Sequence, residues 1–438
     1  MIAKRVRNLE RRWRKQIKAL PLPDGIWRSS RRLRPDDPAQ GWKIHVSATR
    51  LSACEVFSRV LPILREHDAF FKVIARLDLL AELNAGLSEF SQIGKILTVY
   101  SRSTSGAVQL AGKLHLATRG LRGPQIPFDA RYRKNSIVYY RYGSFKPPRK
   151  ASAGKITERS GKAHPDKRAP GHAVPRWLDD PFQKRSADAN RANKIGSLSP
   201  DYLPFKVISR RGKGSVYEAL DFTVSPARLV IIKEGRRDGE TAWNGADGFA
   251  RVTHEGRVLR ILRAAGIPVP EIFREFNRDD NRYLVMEKIE GRALLPRDKT
   301  QPAKTSWRRA QKILEDMEPV LAKMHAAGWV WRDCKPPHIF RHRGAIRLID
   351  FEGAVRINEA KALPWSAPDY LPRSYHKKLR RRRGAVEDNY ALGVIAFQFG
   401  GGEFPPADRR RRARIFQRTH CPDLLRAKIE TLLADTRK

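Results

Sequence analysis

The run Trp331-Arg332-Asp333-Cys334-Lys335, followed by Ile349-Asp350-Phe351-Glu352, decides how the C-terminal half of this chain reads. Taken alone, each charged residue in it is an ordinary surface salt bridge or a strand-end charge. What precedes and follows gives the run its meaning. Upstream, Leu229-Val230-Ile231-Ile232-Lys233 is a β-branched apolar run closed by a lysine, the pattern of a buried strand. Before it stands Ser209-Arg-Arg-Gly212-Lys-Gly214-Ser-Val216-Tyr217, a strand, a glycine-bearing turn and a second strand. Between lie a helix through Glu255, Leu259 and Leu262 and a strand, Tyr283 to Met286, ahead of Glu287. Ile313, Met317, Val320, Leu321 and Met324 share one helical face, with a kink or break expected at Pro319 and a C-cap at Gly328. Tyr390 to Phe399 is apolar on nearly every side, so it reads as a core helix.

In that order these segments resemble the glycine-rich loop, strand lysine, helix glutamate, catalytic loop and metal-binding segment of the protein kinase fold. Ala367-Pro368-Asp369 and Asp388-Asn-Tyr-Ala-Leu-Gly393 extend the resemblance across residues 201–438. The resemblance implies ATP and Mg²⁺ as cofactors. Gly212, Gly214, Val216 and Glu287 would line the nucleotide, Lys233 would grip its phosphates, and Glu255 would hold Lys233 by an ion pair. Asp350 would chelate Mg²⁺, Asp333 would orient the acceptor hydroxyl, and Lys335 would neutralise the transferring phosphoryl group. Three positions depart from the pattern. Trp331 replaces a histidine, Glu352 replaces a glycine, and His338 occupies the second metal-ligand position in place of an asparagine. An imidazole is a poorer ligand than an amide oxygen for a hard cation, so a pseudokinase is a rival reading.

Ahead of this half, composition marks out a basic amphipathic arm (1–40), a mixed apolar and polar stretch (41–145) and a segment rich in Lys, Arg, Gly, Pro and Ser (146–200), read as linker and domain tail. Leu51 to Leu61 has helical spacing as far as Pro62, while Ile96 to Tyr100 and Ile137 to Tyr140 read as strands. The fold class expected is α+β: a bilobal kinase-like fold preceded by a smaller α/β domain. In Gly41-Trp-Lys43-Ile-His45-Val-Ser47 strand alternation sets Lys43 and His45 on one side, and Lys72, Lys95 and Arg141 add cations without acidic partners. Such a cluster suits a phosphate-bearing ligand, or consists of ordinary strand residues in a very basic protein.

GWKIHVSA, GKILTVY and VYYRYGSF, with Pro175-Arg-Trp-Leu-Asp-Asp-Pro181-Phe and IDFEGA, together resemble class III lanthionine synthetases, which join a phospho-Ser/Thr lyase domain to a kinase domain. Asp350-Phe351-Glu352 fits that family better than ordinary protein kinases. The resemblance implies that Lys43 takes a Cα proton and His45 protonates the leaving phosphate, with Lys72, Lys95 and Arg141 binding it. It also implies a Ser/Thr-bearing peptide substrate. No segment corresponding to the zinc cyclase follows Lys438, and the scattered Cys54, Cys334 and Cys421 could not supply its ligands, so either a separate cyclase acts as partner or the product is a dehydrated or merely phosphorylated peptide.

The net charge of +42 recruits anions and makes an acidic leader peptide attractive as partner. It also leaves open a non-catalytic scaffold binding nucleic acid. The runs Arg380 to Arg383 and Arg409 to Arg414 lack interleaved aromatic residues and read as solvated basic faces. No apolar run is long enough to span a bilayer, and a reducing cytoplasm suits the cysteines. Between Asp350 and Ala367 the only hydroxyl residue is Ser366, so activity without activation-loop phosphorylation is expected. Protein stripped by phosphatase should phosphorylate a Ser/Thr peptide at its full rate; a rate restored only by rephosphorylation would refute this.

Overall fold

The computed structural model describes residues 2–87, 89–145, 154–183, 198–357, 359, 368–372 and 384–434. Two compact units form, one from Met1–Arg228, Ile232–Ala250 and Phe276–Tyr283, the other from Leu229–Ile231, Arg251–Glu275 and Leu284–Lys438. Both mix helix and strand, as the expected α+β class requires.

The first unit is built on a seven-stranded antiparallel sheet. Its strands are β1 (Leu22–Asp24), β2 (Trp27–Ser29), β3 (Gln40–Ser47), β4 (Phe70–Ile74), β5 (Lys95–Tyr100), β6 (Ala130–Arg131) and β7 (Val138–Ser144), in the spatial order β1-β2-β4-β5-β3-β7-β6. Strand β3 is thus interior, paired with β5 and β7. Period-two alternation sends Ile44 and Val46 into a core with Val73, Leu97, Val99 and Val138. Against that face pack α2 (Ala53–Glu66) through Val56, Phe57, Val60 and Leu64, α3 (Leu77–Ala85) through Leu80 and Leu83, and α4 (Thr104–Ala117) through Leu110 and Leu114.

Two expectations are corrected here. Helix α2 runs through Pro62 to Glu66 rather than stopping at it. The first forty residues are also no free arm: α1 (Ile2–Ile17) buries Trp13 and Ile17 in the same core, with the Trp13 ring 5.4 Å from Phe57, and β1 and β2 extend the sheet edge. An amphipathic helix rich in arginine still has an apolar stripe to bury, and here the sheet layer covers it. Within the segment expected as linker and tail, β8 (Lys155–Thr157) and β9 (Ala163–Pro165) form a hairpin.

After residue 200 the predicted strand, turn and strand appear as β10 (Tyr202–Arg211) and β11 (Gly214–Asp221), paired antiparallel and belonging to the first unit. They join β12 (Arg228–Gly235), β13 (Ile272–Arg278) and β14 (Asn281–Glu287) in a five-stranded sheet ordered β10-β11-β12-β14-β13. The compact units therefore do not part at residue 200. One reason is the β10–β11 turn, where the Gly212 N–H donates to the Ala85 carbonyl at 3.0 Å. A Cβ on Gly212 would run into the Asn84 carbonyl oxygen, so only glycine allows this approach. Arg210 and Arg236 each lie 5.2 Å from the Phe90 ring, and Arg122 pairs with Asp238.

In the second unit α5 (Gly248–Ala264), α6 (Trp307–Ala326) and α7 (Val386–Gly401) surround a core of Leu259, Leu262, Ile313, Leu314, Met317, Leu321, Phe397 and Phe399. Helix α6 is continuous through Pro319; its C-cap is Ala327, and Gly328, expected as the cap, follows it at φ 82°. Helix α7 is buried on nearly all sides. Its Gly400 lies so close to the Trp307 ring that any side chain there would collide. Trp13→Ala should destabilise the first unit by about 3–5 kcal/mol, measured by denaturant unfolding followed in that unit; a loss within about 0.5 kcal/mol, the usual surface range, would show that the helix is not part of the fold.

Candidate active sites

Because Ile44 and Val46 point into the core, Lys43, His45 and Ser47 face the opposite side of β3. The sheet register sets Arg141 and Tyr100 opposite Lys43, and Tyr139 and Thr98 opposite His45. One strand further, Lys72 lies opposite Thr98, its ammonium 4.8 Å from the Trp27 ring. A bulge between Val46 and Ser47 pairs Ser47 with Lys95 instead of Ile96. Ile96 joins the core while Lys95 turns to the His45 side.

The face is not free of acids, contrary to the sequence reading. Asp129, just before β6, is buried with its carboxylate 2.6 Å from His45 Nδ1 and 3.3 Å from Lys95 Nζ. Asp166, just after β9, accepts from Arg141 Nη2 and from the Ser144 backbone N–H, and Arg141 also donates to the Lys167 carbonyl at 3.1 Å. Both acids lie far from the Lys43-x-His45 pair in sequence, on segments without motif character, so no local signal marked them.

Burial and the neighbouring Arg141 lower Lys43 to about 7. Burial, then Lys95, lowers His45 to about 3, Asp129 opposing the shift only in part. Burial also lowers Lys95 despite its carboxylate partner. For Asp129, burial favours the neutral acid, but Lys95 and His45 overcome it and hold the group well below the usual carboxylate range. The result is a lysine able to exchange a proton near neutral pH, beside a neutral histidine whose Nδ1 faces an ionised carboxylate.

In the second unit the catalytic-loop segment is held from α7. The fully buried Asp388 accepts the backbone N–H groups of Trp331 and Arg332 at 2.8 and 2.7 Å, and its Oδ2 lies 3.0 Å from His325 Nε2. Arg332 adopts φ 68° and Asp350 φ 70°, left-handed conformations that non-glycine residues hold only where surroundings enforce them. The Arg332 side chain pairs with Glu387 and reaches the Gly353 carbonyl, all within the protein. Trp331 donates its indole N–H to the Asp350 carbonyl and stacks on Phe351, so it braces the acid-bearing turn from the histidine's place.

Around that loop Lys335 Nζ lies 2.9 Å from Asp333 Oδ1, and His338 lies between Asp333 and Asp350, Nδ1 3.3 Å from one and Nε2 3.5 Å from the other. Nitrogen and oxygen donors of Asp333, His338 and Asp350 fall within 4.8 Å of one another, as do carboxylates of Glu255, Asp350 and Glu352. The first set therefore fits a divalent cation. Burial lowers His338 against the opposing pull of Asp350 and Asp333. Glu255 is buried and accepts the Phe351 N–H at 3.0 Å. Glu287, expected at the nucleotide, is ion-paired with Arg347 at 2.7 Å, and Lys233 sits half-buried on β12. Val216 is half-buried on β11, whereas Gly212 and Gly214 are buried at the turn. Among the basic runs, Arg412 forms a two-point pair with Glu430, while Arg380 to Arg383, Ser366 and Ala367 lie outside the described residues.

A kinase-like fold joined to a separate α/β layer is thus the class that fold and sites define. Residues 3–194 match the RamC N-terminal domain family, and residues 243–371 match the lipopolysaccharide kinase (Kdo/WaaP) family. Probable SapB synthase of Streptomyces coelicolor is 30% identical over 405 residues, 86% of this chain and 42% of that protein. Serine/threonine-protein kinase pkn2 of Myxococcus xanthus is 29% identical over 226 residues, 48% of this chain and 26% of that protein. Serine/threonine-protein kinase F of Synechocystis is 29% identical over 173 residues, 36% and 34% of the two chains. The chain spans less than half the length of these relatives. A match to the RamC N-terminal domain followed by a match to a kinase family fits a class III lanthionine synthetase-like chain. Among the described residues no helix is long and apolar enough to cross a membrane.

Since Lys43 is held near 7 in the fold but titrates near 10.4 when unfolded, its burial penalises the native state fully below pH 7 and progressively less up to about pH 10. The dimethyl-lysine NMR resonance that disappears in Lys43→Met should titrate with a midpoint near 7. A midpoint above about 9, close to the free side chain, would contradict the described environment.

Proposed function

We propose that the C-terminal half phosphorylates Ser or Thr of a peptide with ATP, and that the Lys43 face eliminates the phosphate to leave dehydroalanine or dehydrobutyrine. The observation that carries this reading is the pair of Lys43, lowered to about 7, and His45, oriented by Asp129, on one strand face ringed by cations. Arg141, Lys95 and Lys72 supply the positive field for a phosphate dianion. Lys43 Nζ removes the Cα proton, the Cα–Cβ double bond forms, and the Cβ–O bond breaks with its electron pair leaving on phosphate. With Nδ1 turned toward Asp129, His45 can donate from Nε2 only after gaining a second proton. A bound dianion favours that gain by opposing the burial that disfavours it.

In the kinase half, Asp333 would accept the hydroxyl proton and Lys335, beside it, would offset charge on the moving phosphoryl group. Asp350 and His338 would hold the divalent cation, which neutralises phosphate charge when bound. Lys233, Gly212, Gly214, Val216, Glu255 and Glu287 carry the nucleotide roles that the kinase resemblance implies. Ordered Arg332, already paired to Glu387, supports function without a loop phosphate. The net charge favours a peptide with an acidic leader.

A second reading, a Ser/Thr kinase whose N-terminal layer only docks substrate, is favoured by the likeness to serine/threonine-protein kinases. Mass spectrometry of a Ser/Thr peptide with an acidic leader separates the two. The wild type should yield products about 18 Da lighter per site, and Lys43→Ala/His45→Ala should accumulate a product about 80 Da heavier. Asp333→Asn should yield neither. Elimination persisting in the double variant would remove the lyase assignment, and a stable phosphopeptide from the wild type would leave the kinase alone.

A further inference from the structure

The environment of His338 is unlike that of an ordinary buried histidine. Its Nδ1 faces two acceptors of one residue, the Asp333 carbonyl at 3.2 Å and the Asp333 carboxylate at 3.3 Å. The ring proton therefore belongs on Nδ1. That leaves the Nε2 lone pair aimed at the Asp350 carboxylate, 3.5 Å away. This separation exceeds an N–H···O hydrogen bond, so the two are not sharing a proton. Nε2 and the Asp350 carboxylate are thus two donor groups turned toward one gap, within a cluster whose ligand atoms lie within 4.8 Å of one another. The other Asp333 oxygen is taken by Lys335, and Asp350 is fixed in its left-handed turn by the Trp331 indole bond to its carbonyl. The backbone that carries the Asp350 carboxylate is therefore preset.

From this geometry we infer that His338 Nε2 and Asp350, with Asp333 orienting the imidazole, form a divalent-cation site selective for a transition cation such as Mn²⁺ over Mg²⁺. The inference deepens the kinase reading above and rests on it for what the cation does. Mg²⁺ prefers an all-oxygen shell, whereas neutral imidazole suits first-row transition ions. His338, which looks from sequence like a defect in a magnesium site, is on this account the residue that sets metal choice. Its Nδ1–H bond to Asp333 is the second contact that fixes ring orientation in such sites.

The test uses the full-length protein and Mn²⁺ alone, read by pulsed electron paramagnetic resonance. Bound Mn²⁺ should show a nitrogen coupling that changes isotope pattern when only the histidines carry ¹⁵N, and Mg²⁺ should compete at least about tenfold more weakly. His338→Asn should lose that coupling and bind Mn²⁺ about tenfold more weakly with its thermal unfolding midpoint retained. The labelled wild-type measurement needs no variant. Bound Mn²⁺ without histidine coupling, a coupling that survives His338→Asn, equal competition by Mg²⁺, or no Mn²⁺ bound at millimolar concentration would overturn the inference. Peptide phosphorylation with Mg²⁺ in protein that shows no histidine coupling would sink this site and keep the kinase reading. Coupling without phosphorylation in either metal would do the reverse.

Discussion

A single buried carboxylate organises the kinase-like site. Asp388 sits at the start of α7 and would be costly to bury alone. Two backbone N–H groups and His325 of α6 meet it, and the two backbone donors belong to the Trp331–Lys335 loop. Satisfying the carboxylate therefore pins Trp331 and Arg332, and with them the left-handed turn that presents Asp333. Trp331 passes the constraint on through its indole bond to Asp350 and its stacking on Phe351. The loop and the Asp350-bearing turn become one rigid piece. The helix that carries Asp388 can serve as its anchor because it is surrounded by core on nearly every side.

The other site solves the opposite electrostatic problem. Lys43, Lys95, Arg141 and His45 are brought together away from water, where like charges raise one another's cost. Asp129 and Asp166 offset that cost without filling the face. Each is bound to the flank of the cluster, to His45 and Lys95 on one side and to Arg141 on the other, so Lys43 remains the group lowered to about 7. An anion entering there meets cations already assembled and partly desolvated, which is the preorganisation that favours a phosphate over a neutral ligand.

Much of this was legible in the sequence where the signal is local or ordered. Alternation along 41–47 set Lys43 and His45 on one face, and the apolar run 390–399 announced a buried helix. The rest depends on pairings between distant segments. Lys95 reaches His45 only because a bulge shifts the β3–β5 register, and a bulge leaves no mark when one strand is read alone. Asp129 and Asp166 arrive from a loop and a hairpin edge whose sequences read as connection. Trp331 looked like a loss of histidine because its second partner, the Asp350 carbonyl, is a backbone atom with no residue identity to recognise. The expected basic arm failed as a reading for a related reason: its arginines outnumber the few apolar residues that the sheet buries.

Gly212 has a consequence for how such chains can diverge. Its missing side chain lets the β10–β11 turn rest on Asn84 and Ala85, more than a hundred residues away in sequence. A surface of that kind is written half in each segment, so neither half can be transplanted without carrying the other's imprint. Recombination between relatives that cut the chain between α3 and β10 would join partners fitted to different seams. The two segments are therefore expected to be inherited as a pair, and a glycine at this turn would be retained for as long as they travel together.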